Sequence, residues 1–182
     1  MNRLFLQKKR RLFLIFLWVG MACFACNGGK TKKQDNSGTY KSEELMRVNR
    51  YLVGKDADVI KGYLKRRNWT MVNSPTGLWY MIYQKGDGPV AESGKMATIK
   101  YNVWLLDGTL CYSSDNLGLK KFRIGKGGVE KGLEEGILLM HVGDKARFIM
   151  PPHLAQGLVG DEDKIPPRSI ILYEVELVQI TD

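Results

Sequence analysis

The chain has 182 residues, 44% of them apolar, a length that holds one ordinary domain with appendages at about 100–200 residues per domain. Its formal charge of +9 has the sign of a nucleic-acid binder, yet Arg3, Lys8, Lys9, Arg10 and Arg11 all precede the first apolar run. Lys30, Lys32, Lys33 and Lys41 against Asp35 add a further +3, so residues 42–182 carry only about +1 and retain no basic stripe with interleaved aromatics, which excludes nucleic acid as a partner.

The basic run QKKRR is followed by LFLIFLWVGMACFA, an uncharged apolar stretch of signal-peptide length and shorter than the roughly 20 residues of a membrane span. Residues 1–25 are therefore expected to be an export signal. Cys23 and Cys26 close it, each preceded by alanine. The arrangement resembles a lipobox, in which a cysteine after small residues receives lipid and becomes the new amino terminus. The third residue upstream is Gly20 or Cys23, where leucine is usual. Cys26 is the preferred site because the polar run NGGKTKKQDNSG starts directly after it, with Cys23 as the alternative. The domain is thus expected in the cell envelope, lipid-anchored at a membrane and facing the periplasm or the outer surface; an uncleaved anchor leads to the same side. With these two cysteines assigned, Cys111 has no disulfide partner and reads as a small buried hydrophobe.

Residues 26–41 lack aliphatic side chains after the cysteine and are expected to form a flexible tether. A helical segment is expected over 42–74. Ser42 opens SEELMRVNRYLV as an N-cap, with Leu45, Val48 and Leu52 at helical spacing. A second short helix follows through DADVIKGYLKRRN, with Asp56 as cap and Val59, Ile60, Tyr63 and Leu64 on one face. Two helices of this size have no core of their own, and are expected to pack on the following domain or on an envelope partner through residues 42–68.

From Leu78 the period changes to two. LWYMIYQ, MATIKYNVWLL, TLCYSS, KARFIM and SIILYEVELVQI read as strands, and Asp107-Gly108 marks a two-residue hairpin. One helical run, VEKGLEEGILLM, places Val129, Leu133, Ile137 and Met140 on one face. Many strands and one helix imply an α+β domain over 75–182, a twisted antiparallel sheet wrapped around one short helix and preceded by two short helices.

The segments YNVWLLDGTLCYSS, FRIGKGGVEKGLEEGILLMHVGDKARFIMPP, the loop with Gly157, IPPRS and ILYEVELV follow one another in the order and spacing of the FKBP domain. The chain resembles that family over about residues 75–182. With its two helices and lipoprotein signal it is similar to exported Bacteroidetes isomerases, some associated with gliding motility. The resemblance implies an FKBP-like fold and catalysis of cis/trans rotation about X-Pro bonds of proline-containing polypeptides. That rotation has a barrier of roughly 18–20 kcal/mol because the amide is partly double-bonded. An apolar pocket lowers it by desolvating the amide and binding the twisted state best.

Carried over by position, the resemblance places Tyr101, Tyr112 and Tyr173 at catalytic positions and Cys111, Val129, Glu130, Leu133, Gln156 and Ile165 at substrate-binding positions. The usual Phe-Asp pair before two serines is Cys111-Tyr112, so the pocket carboxylate is absent from its usual place. Leu133 stands where the floor indole is common, Gln156 replaces a flap tyrosine, and Lys120 takes another aromatic position. Glu130 stands where an isoleucine offers its backbone amide to the ligand. These replacements imply weak activity and weak macrolide binding. From pattern alone, Val129, Leu133 and Ile165 read equally as core, Tyr101 and Tyr173 as ordinary sheet-lining residues, and Tyr112 either as a substitute wall or as filling.

His141 and His153 lie on different elements without cysteine or acidic neighbours at ligand spacing, so no metal or cofactor is expected. Ser113 and Ser114 lack a nucleophile elbow, and GKGG at 125–128 lacks the Lys-Ser/Thr ending of a phosphate loop. Two functions compete: an exported isomerase, or a non-catalytic binding or chaperone module of an envelope assembly.

Overall fold

The computed structural model describes residues 37–182, with side chains from Ser42 onward. The expected signal at 1–25, the lipidation candidates Cys23 and Cys26 and most of the tether lie outside the described residues. Residues 45–182 form one compact unit, and the packing below is within it.

The expected pair of short helices is one continuous helix, α1 (Ser37–Arg67), whose start falls inside the stretch expected as tether. Gly54 does not break it. Glycine inside a helix costs about 1 kcal/mol relative to alanine, a penalty that neighbouring turns absorb. Asp56 caps nothing; its two carboxylate oxygens instead accept from Arg168 Nη2 at 3.2 and 3.3 Å. Only the last third of α1 is buried, through Ile60, Tyr63 and Leu64, whereas Leu45 and Val48 are exposed.

Seven strands follow: β1 (Val72–Asn73), β2 (Trp79–Gln84), β3 (Met96–Leu105), β4 (Leu110–Ser113), β5 (Lys120–Arg123), β6 (Lys145–Met150) and β7 (Ile171–Thr181). Helix α2 (Ser114–Leu117) follows β4, and α3 (Lys131–Ile137) lies between β5 and β6. All strand pairs are antiparallel, in the order β1-β2-β6-β7-β3-β4, with β5 on the first half of β3 beside β4. The β3–β4 hairpin turns at Asp107-Gly108, where Gly108 has φ +99° and Asp107 Oδ1 accepts from the Thr109 amide at 2.8 Å. Neither β1 nor β5 is among the expected strands. β1 has two exposed residues, and β5 buries only Phe122, so neither shows a period.

Alternation along the strands builds two cores on opposite faces of the sheet. Phe148, Met150, Tyr173 and Val175 join Leu133, Ile137 and Met140 around α3. Their neighbours Ile149 and Leu172 point the other way and pack with Ile60, Tyr63 and Leu64 of α1, against Trp69, Trp79 and Trp104. The helix therefore seals the far face of its own domain. α3 is shorter than the expected run, but its core residues Leu133 and Ile137 and the following Met140 are fully buried as the spacing requires. Gly136 sets how closely α3 approaches the sheet: a Cβ there would lie 2.6 Å from Cζ of Phe148.

Candidate functional site

A cleft of about 610 Å³ opens where the chain enters α3. One wall is the turn Gly127–Lys131, with Lys120 of β5 beside it. The other is the loop after β6, through His153, Ala155, Gln156 and Gly157. The loop folds back on itself at Gly160, whose φ is +77° and where a Cβ would meet the Ile165 carbonyl oxygen at 2.1 Å.

Glu130 is the hub. It precedes α3 with φ −56° and ψ 140°, so its amide, like those of all helix-start residues, has no partner within the helix. Its side chain turns over the cleft floor. Tyr173 Oη and Gln156 Nε2 both donate to Glu130 Oε1, each at 2.9 Å. Glu130 Oε2 is buried and makes no hydrogen bond within the protein. Lys120 Nζ donates to Tyr173 Oη at 3.3 Å and lies over the rings of Tyr101 and Tyr173, at 4.9 and 5.8 Å from their centroids. Burial raises the pKa of Tyr173, and the adjacent Glu130 charge raises it further; the same two causes raise that of Tyr101. Tyr173 thus stays a neutral donor to the carboxylate and an acceptor from the ammonium.

Of the residues expected to line the pocket, Val129, Glu130 and Gln156 stand on the cleft wall. Tyr101 and Tyr173 do not line the cleft but lie buried behind Glu130 and Lys120, with ring centroids 6.1 Å apart and planes inclined by 31°. Leu133 and Ile165 are core residues. Cys111 is buried; burial raises its thiol pKa, and Sγ donates to the Lys164 carbonyl at 3.5 Å.

Tyr112 stands off the cleft wall and does something its sequence position does not reveal. Its hydroxyl donates to Asp161 Oδ2 at 2.5 Å and lies 3.2 Å from Asp163 Oδ2, while Lys164 Nζ sits 5.1 Å from its ring centroid. Asp161 Oδ1 accepts from the amides of Ile165 and Asp163 at 2.7 and 3.0 Å. A carboxylate thus faces position 112 from the loop after β6 and is bound by the Tyr112 phenol. The loop after β6 is thus tied at two points, Gln156 donating to Glu130 and Asp161 accepting from Tyr112. Lys131 and His153, which also line the cleft, are not legible as site residues in the sequence: one starts α3 and the other lies in a single 3-10 turn, where no periodicity assigns a direction.

A family model described as FKBP-type peptidyl-prolyl cis-trans isomerase matches residues 88–178. The chain is 37% identical over 114 residues to "FK506-binding protein 4" of Dictyostelium discoideum, covering 63% of this chain but only 31% of that protein's length. It is 39% identical over 97 residues to "Peptidyl-prolyl cis-trans isomerase Fkbp12" of Drosophila melanogaster, covering 52% of this chain and 90% of that protein. Among solved structures, the crystal structure of FkpA from Escherichia coli superposes with a TM-score of 0.61 at 27% identity, covering 84% of this chain and 74% of that one.

Proposed function

Since the chain belongs to the FKBP-type peptidyl-prolyl cis-trans isomerase family, we propose that it catalyses cis/trans rotation about X-Pro bonds of polypeptides in the cleft between α3 and the loop after β6. The observation that carries this reading is a cleft walled by Val129 and Glu130 at the start of α3, behind which the rings of Tyr101 and Tyr173 lie beneath Lys120. Proline seated there leaves water, which otherwise stabilises the planar, charge-separated amide. The Glu130 amide holds the carbonyl while the bond twists, and no covalent step is needed. The activity is weak, because the Glu130 side chain and Gln156 lie over the floor and must yield before a prolyl ring reaches Tyr173.

On this reading the chain is an exported lipoprotein, anchored through Cys26 or Cys23, that assists folding outside the cytoplasm, where uncatalysed isomerisation takes about tens to hundreds of seconds. It is of a kind with the exported Bacteroidetes isomerases. A second reading, a non-catalytic binding module in an envelope assembly, is favoured by one feature: Leu45, Met46, Val48 and Tyr51 of α1 are all more than half exposed. NMR exchange spectroscopy of an X-Pro peptide with the full chain and with Val129→Asp, both shown to be folded, separates the two. Catalysis lost in the variant supports the isomerase. A folded parent with no rate above background overturns it and favours the module.

A further inference from the structure

We propose that Lys120 makes this cleft selective for proline flanked by an acidic side chain, an inference that rests on the cleft being the peptide site. Three observations converge. The first is the state of the cations. Lys120 and Lys131 line the cleft, and neither has a carboxylate within 4.0 Å, although several lysines and arginines elsewhere among the described residues are paired at that distance. Lys120 Nζ is held in place by the faces of Tyr101 and Tyr173 and by the Tyr173 hydroxyl, not by a counter-ion.

The second is the state of the anions around it. Glu130 Oε1 already accepts two hydrogen bonds and Oε2 is closed off from solvent, so this carboxyl offers no open oxygen to a peptide cation. Glu134 accepts from the Gly127 amide at 2.9 Å and Glu135 from Thr76 at 2.6 Å. Asp161 accepts from Tyr112 and from the amides of Ile165 and Asp163, and neither Asp161 nor Asp163 lines the cleft. At the cleft lining an incoming chain therefore meets two lysines without a carboxylate partner and one carboxylate, Glu130, whose oxygens are occupied or buried.

The third is position. Lys120 lines the same cleft as Val129 and Glu130, against which the X-Pro bond would lie, so the side chain it meets is that of a residue adjacent to proline. An ammonium fixed between aromatic faces is partly desolvated before the peptide arrives, and a fixed charge in such a site interacts more strongly than one on a free surface. A glutamate or aspartate gains a partner there, a lysine or arginine meets like charge, and a leucine leaves the ammonium without either.

The test uses the full chain with two peptide sets, one carrying Glu, Gln, Leu or Lys immediately before proline and one carrying Glu or Lys immediately after it. NMR exchange reads the isomerisation rate, and chemical-shift titration of the same samples reads affinity. In one of the two sets, the Glu peptide is expected to exceed the Lys peptide about tenfold in affinity or kcat/KM, equivalent to about 1.4 kcal/mol. The ratio falls towards one in about 1 M salt, where screening acts over about 3 Å. It falls likewise in Lys120→Met and is retained in Lys120→Arg. Equal treatment of Glu and Lys peptides, preference for Lys, or an unchanged ratio in Lys120→Met overturns the inference. Turnover without charge preference leaves the isomerase reading standing and removes this one. Lys120-dependent binding of Glu peptides without turnover does the reverse, and no binding of any peptide removes both.

Discussion

The hydroxyl of Tyr173 and the carboxyl of Glu130 are coupled through one buried hydrogen bond, and a double-mutant cycle measures it. In the parent, Tyr173→Phe strips Glu130 Oε1 of one of its two donors while Oε2 already has none. A hydrogen bond to a charged group contributes about 1.5–3 kcal/mol, so the single substitution should destabilise by about 2 kcal/mol. With Glu130→Leu in place, the Tyr173 hydroxyl has lost its acceptor and keeps only the Lys120 contact at 3.3 Å. Removing it then costs about zero, because an unsatisfied buried donor disappears with it. The expected coupling is about 2 kcal/mol. Glu130→Leu alone should be nearly neutral: it strands two donors but removes a buried oxygen that has no partner. Urea unfolding followed by tryptophan fluorescence and by circular dichroism gives the four stabilities. At about 1–3 kcal/mol per molar urea, the Tyr173→Phe midpoint should fall by about 1 M in the parent and stay unmoved in the Glu130→Leu background. Effects that add within about 0.5 kcal/mol would show that the two groups do not share this bond in solution, and the account of the cleft floor would fail with it.

Gly136→Ala should destabilise by about 1–3 kcal/mol, read as a drop in thermal midpoint, because its methyl would enter the Phe148 ring; pairing it with Phe148→Leu should restore part of the loss. Arg168→Ala should cost about 1–2 kcal/mol by leaving the half-buried Asp56 carboxylate without its partner, with Asp56→Asn in the same background recovering stability. Asp161 has a lowered pKa: burial acts upward, but the Tyr112 hydroxyl and the amides of Ile165, Asp163 and Lys164 together outweigh it. Its contribution is therefore fully present above the unfolded value of about 3.9 and is lost as pH falls through the lower folded value, so Asp161→Asn should flatten the acid limb of a stability–pH profile. Tyr112 shifts the other way, its pKa raised first by the bond to Asp161 and then by burial. Stability from that bond holds below the unfolded phenol value of about 10 and declines as pH rises beyond it, a decline that Tyr112→Phe should reduce.

Much of the scaffold is legible in the residues themselves. β2, β3, β6 and β7 announce themselves by aromatic and β-branched content between turn residues, because both faces of the sheet are buried, and Leu133, Ile137 and Met140 by helical spacing. α1 is harder. Gly54 and Asp56 carry the local marks of a break and a cap, but those marks are weak beside the gain from burying Ile60, Tyr63 and Leu64 against Ile149 and Leu172, and Asp56 is drawn away by Arg168, 112 positions later. The site is harder still. The family pattern identifies Tyr101, Tyr173, Val129 and Glu130 as neighbours, yet nothing local says that the Glu130 side chain turns inward to Tyr173 and Gln156, respectively 43 and 26 residues away. The absent carboxylate at position 112 reads as a loss because the sequence shows the substituted position and not Asp161, which faces it from 49 residues further on.

The strand at the centre of the sheet is also the last of the seven described strands. β7 alone joins β6 to β3, through Lys145–Met150 on one side and Met96–Leu105 on the other. Until residues 171–181 arrive, the strands fall into two groups, β1-β2-β6 and β3-β4-β5, with no ladder between them. Each group can pair within itself, but the native sheet cannot close until residues 171–181 have been made. A copy cut short before Ile171 presents the open edges of β3 and β6 together, a surface that invites strand pairing between chains and proteolysis. Closure of the sheet thus waits on β7, and a copy without that strand is exposed along the gap it leaves.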